Sequence, residues 1–116
     1  RLSSDWLWQK SFDGSAPMGP WITPKNEIAD PQQLSLRTWV NDEIKQDSNS
    51  NLMVFTIVEQ IEALSEHLTL MPGDVIATGT GSGVGHPNAT YLQPGDQCRI
   101  EIEGLGYIEN PVVEGD

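Results

Sequence analysis

Four glycines at alternate positions, Gly79, Gly81, Gly83 and Gly85, with Thr80 and Ser82 among them, form the stretch best suited to chemistry. Glycine loses more chain entropy on ordering than any other residue, so such a run suits a backbone that something must approach closely. Main-chain N–H groups and the Thr80 hydroxyl would together hold a small acid or an oxyanion. The other reading is a plain glycine-rich loop between two strands. Nucleotide phosphates fit poorly. A P-loop needs Lys after its last glycine and then a helix, whereas His86 and Pro87 follow here. The dinucleotide pattern G-x-G-x-x-G, started at Gly79, requires glycine at position 84, which is Val84.

Lys10 is the second candidate. Trp8 and Phe12 flank it in an aromatic, turn-rich stretch, where a lysine could hold a carboxylate or neutralise an enolate. Taken alone, it reads equally as a surface lysine packing its stem on aromatic rings. Other constellations fall away. One cysteine and two widely spaced histidines make no zinc pattern. Gly81-Ser82-Gly83 lacks the strand–helix setting of a nucleophile elbow. Asp74 and Asp96 suit turn geometry, and no pair of acids stands out as a metal site. Cys98 reads as a small buried hydrophobe and His67 as a surface residue near a helix end.

The elements that must position these residues are mostly strands. Leu70-Met71-Pro72-Gly73-Asp74 and Leu92-Gln93-Pro94-Gly95-Asp96 repeat one phrase, and each predicts a tight turn feeding a strand. The strands are Val75-Ile76-Ala77 and the alternating run through Cys98, Ile100 and Ile102. Leu34, Leu36, Thr38 and Val40 alternate similarly, Asn41-Asp42 suits a two-residue hairpin turn, and Glu43 to Gln46 would return. Asp47 to Asn51 reads as a polar loop, Trp21-Ile22-Thr23 as a short strand, and Leu105 to Val113 as a closing hairpin partner. One helix is expected. Thr56 and Glu59 form a capping box, with Ile57, Val58, Ile61, Leu64 and Leu68 on one face. The sum is a single α+β unit, mainly β, with antiparallel strands.

Composition limits the partners. Seventeen acids against six bases give a net charge of −11, which disfavours nucleic acid and anionic membrane. No apolar run is long enough to span a bilayer, and a lone cysteine fits a reducing compartment, read here as the cytoplasm. The Asn88-Ala89-Thr90 sequon reads as chance in such a setting. The start, Arg1 to Trp8, reads as the middle of a longer protein.

In order along the chain, several phrases resemble the fumarylacetoacetate hydrolase family. They are Lys10-Ser11-Phe12-Asp13-Gly14, Ala16-Pro17-Met18-Gly19-Pro20-Trp21-Ile22, Leu36-Arg37-Thr38-Trp39-Val40-Asn41 and Gln46-Asp47-Ser48-Asn49. After the helix come Pro72 to Thr80, Gly83-Val84-Gly85, Leu92 to Asp96 and Ile102 to Gly106. The resemblance implies a β-roll of mixed and antiparallel strands with one principal helix. Residues 1–116 would be a partial domain, the C-terminal half of the catalytic unit.

It also implies enzymes that hydrolyse, decarboxylate or isomerise 2-oxo acids such as acylpyruvates, as in aromatic catabolism, and that are usually dimers. Their Mg²⁺ or Mn²⁺ acts as a Lewis acid on the substrate's oxo acid end, and a His–Glu pair activates water in the hydrolases. Those ligands and that pair fall before Lys10, so none is expected in this sequence. Lys10 maps onto the family's catalytic lysine. With Thr80 and its neighbour Gly79 it would bind substrate. Two departures bear on this: Gln9 stands where many relatives have Gly, and Gly14 where many have Thr, which removes a possible hydroxyl contact. The alternative is a non-catalytic β module that oligomerises or pairs with a partner chain.

Overall fold

The structure is a computed structural model that describes residues 5–85 and 89–115. The His86-Pro87 argument and the Asn88 sequon therefore fall outside the described residues, as does the first half of the Arg1 to Trp8 stretch. The fold is mainly β, with one four-stranded antiparallel sheet and one principal helix, as the sequence implies.

Strands β1 (Ser35–Val40) and β2 (Glu43–Asn49) form the expected hairpin, with Asn41 left-handed at φ 55° in the turn. The Asn41 side chain also fastens this turn to the next strand. Its Nδ2 donates to Asp96 Oδ1 (3.0 Å) and its Oδ1 accepts from Gln97 N (3.0 Å). Strand β3 (Gln97–Ile102) then runs antiparallel to β1, and β4 (Gly106–Pro111) closes the order β2-β1-β3-β4. On one face Leu36, Thr38 and Val40 lie opposite Ile102, Ile100 and Cys98. On the other, Trp39 lies opposite Arg99, whose guanidinium sits 5.7 Å from the Trp39 ring and 4.0 Å from that of Tyr107.

Both repeated phrases make the same turn. Asp74 Oδ2 accepts from Met71 N and Asp96 Oδ2 from Gln93 N, each at 2.8 Å, with Gly73 and Gly95 at φ 101° and 96°. Pro before a positive-φ glycine is the signature of a type II turn.

Helix α2 (Ile57–Ser65) has the capping box read from the sequence. Glu59 N donates to Thr56 Oγ1 (3.2 Å), and Thr56 N donates to Glu59 Oε2 (2.7 Å). It stops short of the periodic pattern, because Glu66 to Leu68 form a closing turn. A second helix, α1 (Trp6–Lys10), was not expected; the Asp5 carboxylate accepts from Leu7 N and Trp8 N and starts it.

Three expectations are corrected. Strand β2 continues through Asp47–Asn49, expected as loop, because ladder bonds are main-chain and tolerate polar side chains on a solvated edge. Trp21-Ile22-Thr23 and Val75-Ile76-Ala77 are not strands, since neither run is hydrogen-bonded into the sheet.

Among the described residues no apolar side chain is buried; Ser50, 9% exposed, is the buried residue. Its Oγ donates to Pro31 O and accepts from Leu34 N, both at 2.8 Å, tying the approach to β1 to the exit from β2. Ile22 (94% exposed), Val54 (90%) and the α2 residue Val58 (72%) lie open.

Candidate active site

The glycine loop lies against strand β2, and two details of sequence put it there. A β-bulge interrupts the β1–β2 pairing: Trp39 faces Ile44 while Thr38 faces Gln46, leaving Lys45 as the extra residue. Gly83, at φ 100°, packs on the Lys45 carbonyl so closely that a Cβ would overlap it. Gly81 packs on Ser48, where a Cβ would come within 3.2 Å of the hydroxyl. Close approach to β2 thus requires glycine at 83 and favours it at 81; what approaches this backbone is a strand of the same chain, whereas the sequence reading expected a bound small acid.

Gln46 is the polar link between strand and loop. Its Nε2 lies 2.9 Å from Thr80 Oγ1, 3.2 Å from Gly81 O and 3.1 Å from Ser82 O. Its Oε1 accepts from the Thr38 hydroxyl at 2.9 Å. Gly79, at φ 106°, turns the chain into Thr80 and has open space where a Cβ would stand. Thr80 itself is exposed.

Lys10 occupies the last position of α1, where a cation suits the helix C-terminus, and is exposed. Its main-chain carbonyl accepts from Ser15 Oγ at 2.9 Å, which folds the following turn back on the helix. The structure therefore brings Gly79 and Thr80 together on one loop and sets Lys10 on a separate element. Two shallow hollows, about 270 and 190 Å³, lie elsewhere, around Glu27–Asp30 and between Trp21 and β3–β4. Lys10, Gly79 and Thr80 line neither.

Gln46 was missed as a site residue by sequence reasoning. The phrase Gln46-Asp47-Ser48-Asn49 was its signal, but its position opposite Thr38 depends on the bulge, which hydrophobic alternation does not announce. Cys98 is half-buried, and burial pushes its thiol above the ordinary value, which suits a packing residue and not a nucleophile.

These features, a glycine loop seated on a bulged edge strand of a four-stranded antiparallel sheet, define a mainly β module with one principal helix. The family model "Fumarylacetoacetate (FAA) hydrolase C-terminal" matches residues 1–113, and the chain belongs to this family. Oxaloacetate tautomerase FAHD2A, mitochondrial, of Bos taurus is 44% identical over 115 residues, 97% of this chain and 37% of that protein. The 4-hydroxyphenylacetate degradation bifunctional isomerase/decarboxylase of Salmonella dublin is 44% identical over 104 residues, 90% of this chain and 23% of that one. Maleylpyruvate hydrolase from Sphingobium sp. SYK-6, solved with manganese(II) and pyruvate, superposes with a TM-score of 0.88 at 39% identity. That match covers 95% of this chain and 40% of the hydrolase. The chain thus spans well under half the length of each.

Among the described residues no three His, Cys, Asp or Glu side chains are grouped as cation ligands. These residues do not by themselves fit a Mg²⁺ or Mn²⁺ site. Nor is any described helix long and apolar enough to cross a membrane.

Proposed function

We propose that this chain supplies part of the active site of a divalent-metal-dependent enzyme that cleaves, decarboxylates or isomerises a 2-oxo acid such as an acylpyruvate. Residues 1–116 are then the C-terminal part of one catalytic domain, and the cation is held by residues outside those described. Lys10 is the catalytic residue and binds the substrate's carboxylate or oxo group as a fixed positive charge. Thr80 donates its hydroxyl from the glycine loop, and Gly79 lets the main chain come close. The observation that carries this reading is the glycine loop, seated on β2 by Gln46 with Thr80 exposed at its start. The protein works as a dimer in a reducing compartment, the cytoplasm in our reading.

The test is Lys10→Ala in the intact protein that carries this segment. Loss of a charge-assisted contact costs about 1.5–3 kcal/mol, so kcat/KM on an acylpyruvate should fall roughly 10- to 150-fold with an unchanged melting temperature. Near-normal kinetics would remove Lys10 from the site.

A second reading, a non-catalytic module that oligomerises or pairs with a partner chain, is favoured by the open apolar side chains, Ile22 and Val54 foremost. Calorimetry of the intact protein that carries this segment, with Mg²⁺ or Mn²⁺, separates the two. Metal binding with acylpyruvate turnover supports the enzyme; neither signal, with a stable dimer on sizing, supports the module.

A further inference from the structure

We infer that Gln46 is a positioning residue that fixes the direction of the Thr80 hydroxyl, making Thr80 a donor to an anionic or carbonyl oxygen of the substrate. The inference rests on the proposed contact of Thr80 with substrate and adds what sets that contact's polarity.

The hydrogen-bond inventory decides the orientation of the Gln46 amide. Gly81 O and Ser82 O can only accept, so the group facing them must be the nitrogen. The Thr38 hydroxyl, at 2.9 Å on the other side, then donates to Oε1. Nε2 lacks a lone pair and shares two protons among three acceptors, of which Thr80 Oγ1 is nearest at 2.9 Å, so that contact has one sense: Gln46 donates and Thr80 accepts. The Thr80 proton must therefore point elsewhere. Among the described residues its acceptor is Gly81 O at 3.5 Å, beyond the 2.5–3.0 Å of an ordinary O–H···O bond. A hydroxyl whose lone pair is engaged from beneath, and whose proton faces open space, serves an incoming acceptor: a carboxylate, an oxo group or an enolate oxygen. An ammonium or amide donor would find the wrong polarity.

Gln46→Glu keeps the side-chain length but replaces the donor with an acceptor that takes the Thr80 proton for itself. The readout is pyruvate affinity by calorimetry in the intact protein with Mn²⁺, probes that the Sphingobium hydrolase holds. Four proteins form a cycle: wild type, Gln46→Glu, Thr80→Val and the double variant. The expected result is a loss of about tenfold or more for Thr80→Val and likewise for Gln46→Glu. In the Thr80→Val background, Gln46→Glu should cost less than about threefold, because only its added charge then acts. Equal losses in both backgrounds would overturn the inference while leaving Thr80 as a contact. Unchanged affinity in Thr80→Val would instead overturn the contact itself. Should Gln46→Glu fail to fold, Gln46→Met, with no donor, is read in the same cycle. It should weaken pyruvate only when Thr80 is present, and a loss independent of Thr80 overturns the inference.

Discussion

At the scale of single residues, Asn41 and Asp96 show how a few polar atoms join distant parts of the sheet. The Asp96 carboxylate accepts from Gln93 N and from Asn41 Nδ2, and these bonds hold its pKa below the ordinary aspartate value. A carboxyl depressed in the folded state contributes stability that is present above its unfolded pKa, about 4, and is lost as pH falls through the lower folded value. The melting temperature should therefore fall on acidification below about pH 4, and less steeply in Asn41→Ala, which loses one of the two bonds. Identical slopes in the two proteins would detach Asn41 from the effect. This pair was half legible in the sequence. Asn41 and Asp96 both read as turn residues, each for its own turn, but nothing local indicated that one turn would bond to the other across 55 positions.

At the scale of elements, the glycine loop and the repeated turns separate two uses of glycine. Gly83 and Gly95 both have positive φ, but a Cβ at Gly95 would meet nothing within 4 Å, whereas at Gly83 it would overlap the Lys45 carbonyl. Gly95→Ala should cost about 1–2 kcal/mol from backbone strain alone. Gly83→Ala should cost more and should also weaken pyruvate binding, because the loop must lift from β2. Denaturant titration of both variants checks the order, and equal costs would show that the loop has room to move. The capped helix, the two Pro-Gly-Asp turns and the Asn41 hairpin were all legible, since each rests on local chemistry. The three-residue runs at Trp21 and Val75 were misread because pairing in a sheet depends on a neighbour that a short apolar run does not specify.

At the scale of the whole molecule, the described residues form a sheet and helices without a closed apolar interior. The periodic face of α2 leaves Val58 72% and Ile61 43% exposed, so periodicity found the helix but not what covers it. Apolar surface on this scale drives association. The 116-residue chain expressed alone should run above monomer size by light scattering, and Ile22→Asp with Val54→Asp should shift it toward monomer. A monodisperse monomer without those changes would count against this. The bulge in β2 carries one more consequence. Counting back from the tight turn, Val40 faces Glu43 and Trp39 faces Ile44, so an unbroken ladder would set Lys45 against Thr38. The glycine loop would then meet an ammonium group where it now meets a neutral amide. The electrical character of that wall follows from a one-residue dislocation in pairing, which a comparison of residue types along the chain passes over.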